Sequence, residues 1–313
     1  MEEQERKENT DQAEPELLYH YTDQKGLLGI VENKCLWATH SQFLNDLSEY
    51  QIVFDALREL IQKKIKTDRN EKWANLFDLL IGIRKIQGVF VSSFSGGKEA
   101  DSLTMWRGYS GATGGYSIGF DRLALELIRS ALFAPGENGW EDMGKCFYVD
   151  PEDPRLAESL ENWIKAVLPD FVDPPTNFSE SDWKDPMSIV RLTPIEIMRH
   201  VEMEASLAAL VKHIGFKEEN EWRIVIVDED GLTSKRTRFR QGRSTMIPYV
   251  EVSWRDNGLP NPIRRILVGP SPNKDEAKRA VEMLLERYRI PVKTEDCPGG
   301  VEVVSSKIPY RNW

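Results

Sequence analysis

The sequence predicts an α+β fold, and three observations support this class. Two stretches of helical periodicity, residues 47–66 and 73–86, separate the first strand candidates from the central ones. Further strand candidates cluster in the last third of the chain, at residues 221–227, 237–241, 249–254 and 263–269. No internal repeat is present. Helices inserted between early strands, with strands grouped late, favour α+β over a regular alternation of strands and helices.

Length and composition are those of a globular protein. The 313 residues can form one large domain or two small ones, and 40% hydrophobic with 29% charged residues is typical of a soluble chain. The net charge of -10 opposes broad attraction to nucleic-acid backbones but allows a local basic face. We expect a cytoplasmic protein without a membrane partner, because the sequence shows no apolar signal region. Its three cysteines are widely spaced and odd in number, which indicates reduced thiols and not a disulfide framework.

The predicted domain organisation is simple. Residues 1–15 are charged and polar, and we expect them to form a disordered acidic tail. Residues 16–313 are predicted to form a single α+β domain with helical insertions at about 47–86 and 151–214. The second insertion includes a stretch rich in Pro, Asp and Ser, which favours a long surface excursion.

Three further elements are predicted in the middle of the chain. Asp121 is expected to cap a helix that extends to about residue 133. Residues 145–149 are predicted to form one short strand, and residues 187–214 are predicted to be helical.

The first strand candidate carries polar residues that an ordinary sheet has little reason to hold. Its sequence is LLYHYT, and strand alternation places His20 and Tyr21 on opposite faces. Thr22 and Asp23 are suitable N-caps for a short helix that follows. A histidine in such a strand is a candidate site residue, although a lone histidine in a strand is more often a packing residue than a catalytic one.

The stretch from residue 89 to 121 combines features that can build a pocket. A buried strand ends in hydroxyls, and alternation places Ser93 and Ser95 on one face. A short amphipathic turn with Trp106 and Tyr109 follows, and then a Gly-rich link. Aromatic rings offer a flat surface, and glycines let the backbone approach a ligand closely. An ordinary strand–turn–strand unit with core aromatics would show the same pattern, so both interpretations stay open.

Two carboxylates precede the strand predicted at residues 221–227. The period of two predicts that Glu219 and Glu221 share one face, which Arg223 continues. The arginine can pair with either glutamate. A solvated strand face with a surface ion pair is the alternative interpretation.

The sequence resembles a bacterial family of unknown function, domain of unknown function 2971. The resemblance covers nearly the whole chain from about residue 17. The matching segments are residues 19–22, 43–46, 93–121, 217–223, 263–269 and 306–311. Because the function of this family is unknown, the resemblance does not imply a particular reaction.

A more distant resemblance does imply a reaction. A histidine in the first strand, serines ending a middle strand and a late Glu-x-Glu are similar to the plan of the ADP-ribosyltransferase superfamily. That resemblance implies mixed or antiparallel split sheets with inserted helices. It also implies an NAD-dependent ADP-ribosyltransferase or an NAD glycohydrolase that needs no metal. A toxin or phage-defence effector is the biological role that such folds imply, with a partner protein from the same operon.

The resemblance also implies roles for individual residues. His20 would hold NAD near a ribose, Glu221 would support the cationic transition state, and Glu219 would orient the acceptor, an unknown protein or nucleic acid. The remaining candidates for NAD binding are Tyr21, Thr22, Ser93, Ser95, Trp106, Tyr109 and Arg223.

Two other functions stay open. A non-catalytic module with the same fold could bind a nucleotide or a partner. A Mg²⁺-dependent nuclease-like enzyme could use a carboxylate cluster of Asp46, Glu49, Glu219 and Glu221. The sequence contains no P-loop, no Rossmann spacing and no zinc-ligand spacing.

One basic patch interrupts the acidic sequence. It runs from Lys235 to Arg240, with Arg243 shortly after. The patch can hold a nucleic acid or another phosphate-bearing target, or it can be a solvated strand face, and both interpretations stay open.

Overall fold

The computed structural model describes most of the chain outside the predicted insertions. The described residues are 14–44, 49–68, 88–97, 101–109, 114–133, 139–167, 208–228, 230, 234–242, 244–255 and 258–309. Residues 1–13 of the predicted tail, Asp46, Arg243, half of the first predicted insertion and most of the second lie outside these ranges. The predicted domain limits stay a prediction.

Twelve strands and six α-helices occur in the described part of the chain. The strands are β1 (Leu17–Thr22), β2 (Cys35–His40), β3 (Gly88–Ser95), β4 (Tyr116–Asp121), β5 (Gly139–Lys145), β6 (Phe147–Val149), β7 (Val211–His213), β8 (Glu221–Asp228), β9 (Arg238–Gln241), β10 (Met246–Ser253), β11 (Ile263–Val268) and β12 (Glu302–Ser305). The helices are α1 (Gln24–Asn33), α2 (Glu49–Asp68), α3 (Leu103–Tyr109), α4 (Arg122–Ser130), α5 (Pro154–Val167) and α6 (Lys274–Arg287). Two 3₁₀ segments are Ser41–Phe43 and Ile214–Glu219.

The chain forms two compact units. The first comprises residues 1–35, 94–128 and 254–313, and the second comprises residues 36–93 and 129–253. Each unit combines helices with a sheet, so the predicted α+β class is confirmed.

The first unit is built on the sheet order β12-β11-β4-β1. β11 and β12 are parallel, whereas β4 is antiparallel to both β11 and β1. At the end of β3, Ser95 pairs with Tyr19 of β1. As predicted, a carboxylate caps the helix after β1: the Gly26 backbone N–H donates to Asp23 Oδ1 over 2.7 Å. In this unit, the last residue of β3 therefore lies next to β1.

Aromatic packing holds the short helix α3 against this sheet. Tyr21 and Trp106 meet edge to face, with ring centroids 4.9 Å apart. Tyr19, Met105 and Leu267 complete this buried cluster. Edge-to-face pairs of this kind contribute about 1 kcal/mol beyond the area that they bury. The turn predicted around Trp106 is therefore a helix fixed by its buried face.

The second unit is organised around residues 88–93 of β3. This part of β3 pairs with β2 and with β8, and β8 pairs along its length with β5. β10 extends the sheet beyond β2, and β9 follows β10. β6 and β7 form a separate parallel pair. All side chains of β8 are buried, with Val225 and Val227 in the same apolar cluster as residues of α2.

Two predicted elements differ from the structure. Residues 145–149, predicted as one strand, are divided at Cys146 between β5 and β6 because Cys146 and Phe147 donate to different carbonyls, those of Glu221 and Leu210. The helix predicted for residues 187–214 does not include its last residues, since Val211–His213 forms β7. Among the described helices, none is long and apolar enough to cross a lipid bilayer.

We predict that Asp101 stabilises the first unit through α3. Its carboxylate accepts hydrogen bonds from Trp106 Nε1 (2.8 Å), Ser306 Oγ (2.6 Å) and the Lys307 backbone N–H (2.7 Å). Asp101→Asn removes the charge from all three bonds and should lower the free energy of unfolding by about 1–3 kcal/mol. Urea denaturation followed by tryptophan fluorescence measures this loss. Asp296→Asn, at an exposed position, serves as the control and should change the value by less than about 0.5 kcal/mol.

Candidate functional site

The structure places the predicted site residues in both units. His20, Tyr21, Thr22, Ser95, Trp106 and Tyr109 belong to the first unit, and Ser93, Glu219, Glu221 and Arg223 belong to the second. In the first unit, His20 is half-buried with its ring 5.9 Å from that of Phe94. Thr22 is half-buried at the end of β1, and Ser95 is buried. In the second unit, Ser93 is half-buried on β3.

The two aromatic candidates of α3 have different environments. Trp106 is 1% exposed, and its indole N–H is bonded to Asp101. Tyr109, the last residue of α3, is 38% exposed. Only a ring with accessible surface can receive a nicotinamide, so the structure favours Tyr109 over Trp106 for that role. Trp106 is part of the core that carries Tyr109.

The two glutamates of the second unit meet at a further residue, Lys212 of β7, and Arg223 binds one of them, Glu221. The Lys212 ammonium lies 2.5 Å from Glu219 Oε2 and 2.6 Å from Glu221 Oε2. Arg223 donates from Nε to Glu221 Oε1 over 2.8 Å and from Nη2 to Glu221 Oε2 over 3.1 Å. We call Lys212, Glu219, Glu221 and Arg223 the ion cluster. Its formal charges sum to zero, which is what burial of ionised groups requires.

A tight turn brings the two glutamates together. Glu219 ends a 3₁₀ segment, and Asn220 follows with a φ of 42°, in the left-handed region that asparagine adopts more readily than most residues. Glu221 then begins β8. The prediction that strand alternation places both carboxylates on one face is therefore wrong about the cause. They converge because the chain turns at Asn220 and both carboxylates bind Lys212.

Backbone contacts fix the ion cluster in the second unit. Arg223 Nη1 donates to the Ala209 carbonyl over 2.6 Å, and the Glu221 backbone N–H donates to Tyr148 Oη over 2.7 Å. Burial raises the pKa of Tyr148 to about 12, so its hydroxyl stays protonated. These bonds hold the start of β8 against β6 and the segment before β7.

Burial and neighbouring charge act in opposite directions on Glu221. Burial on its own would raise the pKa of this carboxyl, but the Arg223 guanidinium and the Lys212 ammonium outweigh burial and lower it to about 2. Glu221 is therefore ionised at neutral pH. Its side chain is 6% exposed, against 12% for Glu219, so Glu219 is the more accessible of the two carboxylates.

Sequence reasoning missed two members of this site. Lys212 directly follows the apolar run Ala-Ala-Leu-Val at residues 208–211, and a lysine that is buried there needs an anionic partner. That signal was readable in the sequence. Tyr148 gave no comparable signal, because an aromatic residue in a short strand is ordinary core.

The carboxylates proposed for Mg²⁺ do not assemble in the described part of the chain. Asp46 and the side chain of Glu49 lie outside it, and Glu219 and Glu221 are bound to Lys212. Among the described residues, no group of three or more His, Cys, Asp or Glu side chains is placed to hold a metal ion.

The ion cluster and the last five residues of α3 lie in the segment that matches a known family. Residues 105–224 match the family model described as a protein of unknown function, DUF2971. This match supports the resemblance to that family. It covers Trp106, Tyr109 and all four members of the ion cluster. No curated protein and no solved structure matches the chain.

We predict that the ion cluster makes stability depend on pH in the acid range. Folding lowers the pKa of Glu221 from its ordinary value of 4.5 to about 2. Its contribution to stability is therefore complete above about pH 4.5 and is lost as the pH falls towards 2, with a total on the order of 3 kcal/mol.

The measurement is the free energy of unfolding of wild type and Glu221→Gln between these pH values. The difference between the two proteins should shrink as the pH falls. A difference that is constant over this range would show that Glu221 does not change its pKa on folding.

Proposed function

We propose that the protein cleaves the nicotinamide–ribose bond of NAD, either transferring ADP-ribose to an acceptor or hydrolysing NAD. The observation that carries this proposal is the pair of glutamates converging on one ammonium, with Glu221 ionised despite its burial. Cleavage of that bond develops positive charge on the ribose. A fixed carboxylate next to the sugar stabilises this charge more than it stabilises bound NAD.

The proposed reaction requires the Lys212 ammonium to move away from Glu221 Oε2. A second cation beside Glu221 opposes the developing charge of the sugar, because Lys212 already occupies Glu221 Oε2. In the proposed reaction the ribose therefore approaches from the Glu219 side, and the Lys212 ammonium shifts towards Glu219, to which it is already bound. Arg223 keeps Glu221 ionised during this shift through its bonds to both carboxylate oxygens.

The proposal extends to the fold and to NAD binding. It takes the sheets to be of the ADP-ribosyltransferase type, supported by a short helix capped by Asp23 after β1 and by Ser95 ending β3 opposite β1. In the first unit, NAD binding is proposed for His20, Thr22 and Tyr109, which have accessible surface, with the buried Tyr21 and Ser95 supporting them. In the second unit, it is proposed for Ser93 and, through Glu221, for Arg223. The same proposal includes an unknown protein or nucleic acid as the acceptor of ADP-ribose. It also includes a cytoplasmic effector role in toxin or phage-defence systems and a partner protein from the same operon.

The first test is release of nicotinamide from NAD by the purified protein. We predict that Glu221→Gln lowers the rate about 10²–10³-fold, because the charge that stabilises the ribose cation is lost. Glu218→Gln, at the exposed neighbouring position, is the matched control and should retain the wild-type rate. Tyr109→Ala should raise KM for NAD, because the exposed ring of α3 is removed.

A folding control is needed, because removing one partner of a buried ion pair costs about 3–5 kcal/mol. The double variant Lys212→Met/Glu221→Gln removes one charge of each sign, leaves the ion cluster neutral and should fold. If this folded double variant releases nicotinamide at the wild-type rate, Glu221 does not take part in catalysis.

A non-catalytic binding module is the second candidate, and one observation favours it. Both oxygens of Glu221 are already bonded within the ion cluster, as expected of a purely structural ion pair. If the folded wild type releases no nicotinamide with or without cell extract, yet binds NAD in calorimetry, this second function replaces the first.

A further inference from the structure

A face of the second unit, built from β2, β10 and β9, combines aromatic and basic side chains. We call it the Trp37 face. It consists of Trp37 and Thr39 on β2, Tyr249 on β10, and Arg238 and Arg240 on β9. The strand register supports this grouping, because Tyr249 pairs with Arg238. The alternate residues of β2, such as Leu36 and Ala38, are buried on the other side.

Three side chains of the Trp37 face, those of Trp37, Tyr249 and Arg240, pack against one another. The rings of Trp37 and Tyr249 lie 4.6 Å apart at an angle of 37°. The Arg240 guanidinium lies 5.7 Å from the Trp37 ring centroid. Tyr249 is buried, whereas Trp37 is 41% exposed. An exposed tryptophan fixed by a second ring and a cation is a rigid surface for stacking a planar group.

The cations of this face are incompletely neutralised. Arg240 Nη2 donates to Thr39 Oγ1 over 3.1 Å, but Arg240 Nε is buried and has no acceptor in the described structure. No carboxylate of the described residues forms an ion pair with Arg240. Arg238 is 61% exposed and lies 3.7 Å from Glu251, a distance at which an exposed pair is weak. The Trp37 face therefore carries positive charge on a protein whose net charge is -10.

Not every basic residue of the sequence patch contributes to this face. The Arg236 guanidinium lies 4.2 Å from the Phe133 ring centroid, and its Nη1 is buried. Lys235 is exposed in the turn before β9. The geometry thus divides the patch into Arg236, which is packed in the second unit, and Arg238 and Arg240, which accompany Trp37.

We propose that the Trp37 face binds a short single-stranded nucleic acid. A base stacks on the exposed part of Trp37, and the phosphates on either side pair with Arg238 and Arg240. Aromatic platforms flanked by basic side chains hold single strands in this way, because every base has a stacking face and every linkage carries a negative charge. A duplex would meet only the charges, because its bases are stacked inside. This inference does not depend on the proposed reaction with NAD.

The test is fluorescence anisotropy at low salt with labelled oligo(dT) and oligo(U) of about 12 nucleotides, a length within the usual site size for such surfaces. Trp37→Ala should weaken binding about 5- to 100-fold, the usual loss for one stacked base. Arg240→Gln should weaken binding and lower the slope of log Kd against log salt by about 0.7. Comparison of the two oligonucleotides distinguishes DNA from RNA as the preferred strand.

Three controls make the outcome decisive. Phe239→Ala removes an exposed ring from the opposite face of β9, and Arg279→Gln removes an exposed charge from α6; neither should change binding. Trp37→Phe keeps an aromatic ring and should retain most of the affinity if Trp37→Ala folds poorly. No binding of either oligonucleotide, equal affinity for duplex or polyglutamate, or no loss of affinity in folded Trp37→Ala would each overturn the proposal.

Discussion

The carboxylate of Glu221 is the group on which the structure of the second unit depends most. It is buried at the start of a fully buried strand, and a buried charge is tolerated only when it is paired and hydrogen-bonded. Arg223 bonds both of its oxygens, and Lys212 bonds one of them. The two residues come from different strands, so satisfying this one charge fixes β7 relative to β8.

The surrounding chain is arranged to complete that pairing. Lys212 is placed by the parallel pair β6 and β7, where its Cα is opposite that of Tyr148. Tyr148 in turn accepts the Glu221 backbone N–H, so one short strand supports the carboxylate from two directions. Phe216 lies over the Lys212 ammonium at 4.8 Å from its ring centroid and shields it from water. The same constraint that stabilises the fold therefore positions the two glutamates proposed for chemistry.

Patterns of local spacing predicted much of this architecture, and long-range pairing accounts for what they missed. The alternation of residues 221–227 predicted β8, and Asp121 was expected to cap the following helix, where Ala124 does donate to Asp121 Oδ1 over 3.0 Å. The end of the helix predicted up to residue 214 was wrong, because Val211–His213 pairs with β6 as a strand instead of continuing the helical pattern.

The sequence predicted which residue types form the candidate site, but not which of these residues contact one another. Glu219, Glu221 and Arg223 could be selected from their spacing, whereas their meeting with Lys212 depends on a left-handed turn at Asn220 that no periodicity reveals. Trp106 and Tyr109 could not be ranked from the sequence, since their separation of three residues places both on one side of a helix. Only packing against Tyr21 and the bond to Asp101 show that Trp106 is core.

The most direct measurement of the ion cluster is the titration of the Glu221 side-chain carboxyl by carbon-13 NMR, with the signal assigned by its absence in Glu221→Gln. A carboxylate bound by Lys212 and Arg223 should keep the chemical shift of its ionised form down to about pH 3 and titrate at about 2. Titration at or above 4.5 would show that burial outweighs the two cations. Titration above about pH 7 would in addition leave Glu221 uncharged at neutral pH, and it could then not act as the fixed anion that the proposed chemistry requires.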